Sequence, residues 1–220
     1  MNLIETLNYY NLGHKTTIPT NEGPFGTDKE LWGYISLFYS DYLADLQNKK
    51  INIVEIGTMY GASLMLWEKF FTKANVVGIE LTPYHKFNVS VEGGEYGIYS
   101  EVSFEDYQKN SKRIKFYQQD AYDLDFINKT FKDESIDVLI DDGPHTNFFQ
   151  KKVTEVYYNK IKKGGVIIVE DVVPSDIGSL LNYYKETCEN SEVSHNYTNE
   201  SREYCTTPGM FNIITIKKLK

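Results

Sequence analysis

"INIVEIGTMYGAS" (residues 51–63) is the stretch that decides the architecture. An apolar run broken only by Asn52 and Glu55 stops at Gly57, Gly61 follows, and a helical pattern, "ASLMLWEKFF" (62–71), begins at once. A nearly continuous apolar run suits a strand buried on both faces of a parallel sheet, and a glycine turn into a helix suits the first crossover of such a sheet. The same punctuation recurs in "NVVGIE" (75–80), "RIKFYQQD" (113–120), "IDVLIDDG" (136–143), "GGVIIVEDV" (164–172) and "FNIITIKK" (211–218). Helical patterns lie between them at 147–161, where Phe149, Val153, Val156 and Tyr157 share one face, and at 175–186, with Ser175 the expected N-cap. Strand and helix alternate, which predicts a doubly wound α/β sheet. No helix follows the last run, so it is expected to enter antiparallel, as half of a hairpin with a strand near 191–198.

Residues 26–50, "GTDKELWGYISLFYSDYLADLQNKK", read as a loop running into an amphipathic helix, and 81–112 as an insertion over one end of the sheet. No linker or repeat divides the 220 residues, so one domain is expected, a 1–50 segment followed by a 51–220 core. The net charge of −8 is spread along the chain without a basic stripe, which disfavours a nucleic-acid partner but not a cationic ligand. No apolar run reaches membrane-spanning length, and "MNLIETLNYYNLGHK" lacks the pattern of a secretory signal. A cytoplasmic protein is therefore expected, with Cys188 and Cys205 reduced and the N-x-S/T matches at Asn88, Asn128, Asn196 and Asn199 fortuitous.

The chemistry sits at strand ends. Gly57 and Gly61 let a ligand lie against bare backbone near a helix N-terminus. Glu80 ends the next strand, about twenty residues on, where a carboxylate can take both hydroxyls of a ribose; Asp120 ends the third and could face an adenine amino group. Met59 stands where a nicotinamide fingerprint has a glycine, which counts against an oxidoreductase. Asp141, Asp142 and His145 follow the fourth strand, and Glu170 and Asp171 end the fifth.

In this order and spacing, "VEIGTMYGAS", "VVGIE", "QQDAYD", "IDVLIDDGPH" and "GGVIIVEDV" resemble a class I S-adenosylmethionine-dependent methyltransferase. "GTDK" with a following tyrosine, then "EIG", "DDG-x-H" and "ED", resembles more narrowly the macrocin and mycinamicin type of sugar O-methyltransferase. The resemblance implies a seven-stranded Rossmann-like sheet, mostly parallel with an antiparallel last strand. It also implies S-adenosylmethionine as cofactor, a divalent metal, usually Mg²⁺, on Asp142, Glu170 and Asp171, and His145 as general base. Glu55, Ser63 and Asp141 join Gly57, Gly61, Glu80 and Asp120 on the cofactor side, with Glu55 either a ligand of the methionine amino group or a structural anchor. The family pattern has serine where this chain has Pro144, and proline fixes φ and removes a donor, so the angle at which His145 is presented can differ.

Physical reasons stand beside the resemblance. Three carboxylates converging at adjacent strand ends repel each other unless a cation compensates. Oxygen ligands suit Mg²⁺ and leave positions for acceptor hydroxyls, whose acidity a metal raises. The competing readings are ordinary ones: Asp141 and Asp142 could cap the following helix, Asp120 could belong to a solvated turn, and Asp28 and Lys29 read as a solvated loop pair. Trp32, Phe38, Tyr39 and Tyr42 read as core, and His14, His85 and His195 receive no role. The expected acceptor is a small molecule, a sugar or glycoconjugate, and the resemblance suggests a homo-oligomer. A catechol-like diol and a non-catalytic nucleotide-binding module are the alternatives.

Overall fold

The computed structural model describes residues 1–10, 12–13, 26–59, 61–81, 88–92, 99–197 and 212–219. The readings made for His14, His85, Asn199, Cys205 and part of the 81–112 insertion lie outside these residues.

The apolar runs form β1 (Asn52–Ile56), β2 (Asn75–Glu80), β5 (Ile114–Gln118), β6 (Ile136–Asp141) and β7 (Ile161–Val169). Between β2 and β5 come β3 (Asn88–Glu92) and β4 (Tyr99–Ser103), and at the end β8 (Ser191–Tyr197) and β9 (Asn212–Lys218). Seven strands make one sheet in the order β5-β2-β1-β6-β7-β9-β8. Its pairings are parallel from β5 to β7, while β9 runs antiparallel to both β7 and β8. The expected final hairpin is therefore present. The chain moves outward from β1 to β2 and β5, then returns to the other side of β1 for β6, so β1 and β6 flank the point where strand order reverses.

Alternation along each strand feeds two cores. Ile53, Val76, Val138 and Ile168 face one side, where they meet α1 (Leu3–Tyr9) and α3 (Ala62–Phe70). Val54, Ile79, Leu139 and Ile167 face the other, toward α5 (Leu124–Thr130), α6 (Asn147–Tyr157) and α7 (Pro174–Thr187). The insertion contributes the β3–β4 hairpin as a separate two-stranded sheet, followed by α4 (Phe104–Asn110). Among the described residues no helix is long and apolar enough to cross a membrane.

Three expectations need correcting. The last long helix starts at Pro174 with Val173 as N-cap, so Ser175 lies inside the first turn; proline, with its preset φ, suits the first helical position. Residues 26–50 do not form one amphipathic helix. A turn at 28–33 leads into a π-helical stretch, Ile35–Tyr39, then α2 (Ser40–Tyr42) and a 3-10 turn, Ala44–Leu46. Tyr42 is exposed, with its ring stacked on Phe38, rather than core.

Candidate active site

The turn after β1 is built on close backbone approach. Gly57 has φ +77°, and a Cβ there would lie 1.9 Å from the carbonyl oxygen of Asp142. Its N–H donates to Ile79 O at 3.0 Å, and Asp142 N donates to Ile56 O at 3.0 Å, so β1, β2 and β6 end in one tied layer. Gly61, φ +79°, is the N-cap of α3. Outside these carboxyl ends lies a cavity of about 490 Å³, within the size range of small-molecule sites.

Gly57, Ser63, Glu80, Asp120, Asp142, His145 and Asp171 all line this cavity. Sequence reading and geometry thus converge on one place. Glu80 accepts from Met59 N at 3.0 Å, and Asp120 accepts from Tyr122 N at 2.8 Å. Ile56, Ile79 and Phe149 provide an apolar wall. Backbone strain gathers here too: Met59, His145 and Asp171 are non-glycine residues with φ of +46°, +54° and +52°. Such conformations persist only where the surroundings enforce them, and they cluster at functional sites.

Gly61, Glu55, Asp141 and Glu170 are not on the cavity wall. Asp141 is buried beneath it and accepts from Tyr122 Oη at 3.1 Å. Burial pushes its carboxyl up to about 7, against the hydrogen bonds from Tyr122 and the Gly143 N–H. Neither Asp141 nor Asp142 caps α6; Thr146 does, its hydroxyl accepting from Phe149 N. Glu55 is fully buried and accepts from Trp67 Nε1 at 2.8 Å, the anchoring alternative of its two readings.

The largest departure from expectation is Lys29, read from sequence as a solvated loop charge. It is 1 % exposed, and its Nζ lies 2.6 Å from Asp142 Oδ2, 2.6 Å from Glu170 Oε2 and 3.2 Å from Glu55 Oε1. Burial opposes its charge, but Asp142, Glu170 and Glu55 outweigh burial and hold its pKa well above the ordinary lysine value. Two tyrosines from the same segment join it. Tyr34 Oη donates to Asp171 Oδ1, and Tyr39 Oη donates to Glu170 Oε1. Burial, reinforced by these acids, raises both phenols, so they stay neutral donors.

Local geometry explains the alignment. Tyr34 N donates to Lys29 O at 2.9 Å and Ser40 N to Ile35 O, both five residues back, the π-helical pattern often found at functional sites. Residues 29, 34 and 39 therefore reach one acid cluster, Tyr34 at Asp171, Tyr39 at Glu170 and Lys29 at Asp142, Glu170 and Glu55. Parallel bridging of Gly13 with Thr27, where a Cβ on Gly26 would strike Gly13 backbone at 2.3 Å, ties down the start of the segment. Sequence reading missed Lys29, Tyr34 and Tyr39 as site residues; "GTDK" with tyrosines spaced by five was the available signal.

His145 Nε2 stands 3.6 Å from Asp171 Oδ2 and 3.8 Å from Asp142 Oδ1. Among the described residues, Asp142, His145 and Asp171 bring three possible metal-ligand atoms within 4.8 Å of one another. Burial lowers the His145 pKa despite the nearby Asp171, favouring a neutral imidazole able to accept a proton. Burial likewise raises Asp142 and Asp171, against Lys29 and His145 respectively. A hard cation is the natural partner for the two aspartates. Glu170 fits that role poorly, since both its oxygens already accept from Lys29 and Tyr39.

Comparison with known proteins places this geometry. A sequence profile described as a methyltransferase domain matches residues 54–172, from β1 to just past β7. Erythromycin 3''-O-methyltransferase of Saccharopolyspora erythraea (strain ATCC 11635 / DSM 40517 / JCM 4748 / NBRC 13426 / NCIMB 8594 / NRRL 2338) is 30% identical over 126 residues, 57% of this chain and 36% of that protein. The 8-demethyl-8-(2-methoxy-alpha-L-rhamnosyl)-tetracenomycin-C 3'-O-methyltransferase of Streptomyces olivaceus is 22% identical over 150 residues, 64% of this chain and 33% of that protein. The chain thus spans about a third of the length of these curated relatives. In fold it is similar to MycE methyltransferase from the mycinamycin biosynthetic pathway, solved with Mg and SAH, with a TM-score of 0.61 at 16% identity, covering all of this chain and 54% of that one. More than half of the chain falls within the matched profile, and its seven-stranded sheet is mostly parallel with the expected antiparallel last strand: the chain belongs to the methyltransferase-domain family, with the fold of the class I S-adenosylmethionine-dependent methyltransferases.

Proposed function

We propose that this protein transfers a methyl group from S-adenosylmethionine to a hydroxyl of a sugar or glycosylated small molecule, assisted by a divalent cation such as Mg²⁺. The observation that carries it is the opening of one cavity onto both the cofactor-type acids, Glu80 and Asp120, and the Asp142–His145–Asp171 cluster. The relatives support the acceptor class: one is named for a rhamnosyl-bearing compound and both for O-methylation.

When bound, S-adenosylmethionine supplies an electrophilic methyl group and a divalent ion supplies a Lewis acid that lowers the pKa of a neighbouring hydroxyl. The chain does the rest. Glu80 would hold the ribose hydroxyls, Asp120 the adenine amino group, and Ser63 with the start of α3 the carboxylate end. Asp142 and Asp171 are the hard-oxygen pair for the ion, and two protein carboxylates completed by water are an ordinary Mg²⁺ environment. His145 accepts the acceptor's proton, a contribution of about 10²–10⁴-fold for a general base. The apolar wall of Ile56, Ile79 and Phe149 would keep water from the electrophile.

Calorimetric titration with S-adenosylhomocysteine, with and without Mg²⁺, tests the cofactor. Transfer of labelled methyl from S-adenosylmethionine to a panel of sugars and glycosides then tests the acceptor. Binding followed by Mg²⁺-dependent labelling of a sugar hydroxyl is expected. No binding under either condition would end the methyltransferase reading for this chain, and labelling of catechols alone would replace the acceptor class.

A further inference from the structure

The acid cluster at the ends of β6 and β7 already contains a cation, and its contacts divide the carboxylates into two kinds. Glu55 is turned wholly inward: its Oε2 accepts from Trp67 at 2.8 Å, and its Oε1, buried and without a hydrogen-bond partner, lies at ion-pair distance, 3.2 Å, from Lys29. Both oxygens of Glu170 are engaged, by Tyr39 and by Lys29. The aspartates differ. Asp142 gives Oδ2 to Lys29 and turns Oδ1 toward His145; Asp171 gives Oδ1 to Tyr34 and turns Oδ2 toward His145. Each aspartate is thus held by one oxygen and presents the other beside the imidazole, and both line the cavity, whereas the glutamates do not.

Lys29 Nζ donates to Asp142 and Glu170 and forms an ion pair with Glu55 at 3.2 Å, so one ammonium serves three carboxylates. Moving it aside for a metal at Glu170 would leave Glu55, 0 % exposed, without its countercharge, and an unpaired buried charge is strongly disfavoured. A divalent ion therefore has no open place at Glu170.

We propose that Lys29 is the resident cation of this cluster and partitions it: Glu55 and Glu170 belong to the lysine, Asp142 and Asp171 are left for a divalent ion, and Glu170 is a positioning residue rather than a metal ligand. This rests on the metal-assisted reading above for the ion itself, and it departs from the ligand set that the family resemblance implied.

Manganese binding followed by electron paramagnetic resonance tests it without any turnover. In the native background, Glu170→Gln changes the Mn²⁺ affinity by no more than about threefold, the small coupling expected of a neighbour that acts through the shared Lys29, while Asp171→Asn weakens it about tenfold or more. With Lys29→Met, whose folding is checked by circular dichroism, Mn²⁺ affinity rises, and adding Glu170→Gln now lowers it by about tenfold or more, on the scale of losing a metal-site partner. Loss of Mn²⁺ binding in Glu170→Gln with Lys29 present overturns the proposal, and this arm needs no lysine variant. If the native protein binds no Mn²⁺ but the Lys29→Met variant does so through Glu170, the partition stands and the metal-assisted reading falls. If neither binds, both fall. Calorimetry with S-adenosylhomocysteine on the same samples reports separately on the methyltransferase reading.

Discussion

His145 and Asp171 are held at φ of +54° and +52°, conformations that cost free energy on the order of 1–3 kcal/mol each and that this site maintains together. Their side chains meet across 3.6 Å, with Asp142 completing the group. The histidine could serve this cluster as a base or as a ligand, and one substitution separates the roles. His145→Asn is expected to lower kcat by about 10²–10⁴-fold and to leave Mn²⁺ and S-adenosylhomocysteine affinities near those of the native protein. Loss of Mn²⁺ binding would make it a ligand. At this scale the sequence was a good guide to which acids and which histidine gather, because "DDG-x-H" and "ED" sit at strand ends that any parallel sheet aligns. It was a poor guide to their partners. Lys29 pairs with Asp142 and Glu170 across 113 and 141 residues of sequence, and apart from the five-residue spacing of Tyr34 and Tyr39 behind it, its local sequence reads as that of a solvated loop.

Two short elements do most of the positioning. The β1–α3 turn admits only glycine at 57, where positive φ and the Asp142 carbonyl leave no room for a side chain. Gly57→Ala is expected to destabilise the fold by at least about 1–2 kcal/mol, the cost of left-handed backbone alone. Urea unfolding measures this, and an unchanged midpoint would show that the β1–β6 edge is looser than described. The π-helical segment is the other element. Apolar spacing in 26–50 suggested an ordinary helix, yet bonds closing over five residues rotate Tyr34 and Tyr39 onto the face that meets Asp171 and Glu170. Helical periodicity reads out burial; it does not report a hydroxyl at the tip of a buried ring that must satisfy an acid. Tyr39 shows both at once, fully buried against Trp67 with ring centroids 5.2 Å apart and its phenol on Glu170.

For the whole molecule, three layers place the cavity where strand order reverses between β1 and β6, and its walls come from strand ends far apart in sequence. A ligand there bridges several elements and should stabilise them jointly. At a hundredfold excess over Kd, S-adenosylhomocysteine is expected to add about 2.7 kcal/mol, raising the thermal midpoint by about 5–10 °C for a chain of this size. Differential scanning fluorimetry checks it, and no shift alongside measurable binding would put the ligand elsewhere. Sequence by itself determined the doubly wound, mostly parallel sheet, the antiparallel last strand and the strand ends at which the acids lie, because apolar periodicity and glycine turns are local signals with local causes. Tertiary structure alone decided what those acids face. It buried Lys29 among three carboxylates, withdrew Glu55 and Glu170 from the cavity and left Asp142, His145 and Asp171 at its edge, because buried charges are settled by partners that only the folded chain brings together.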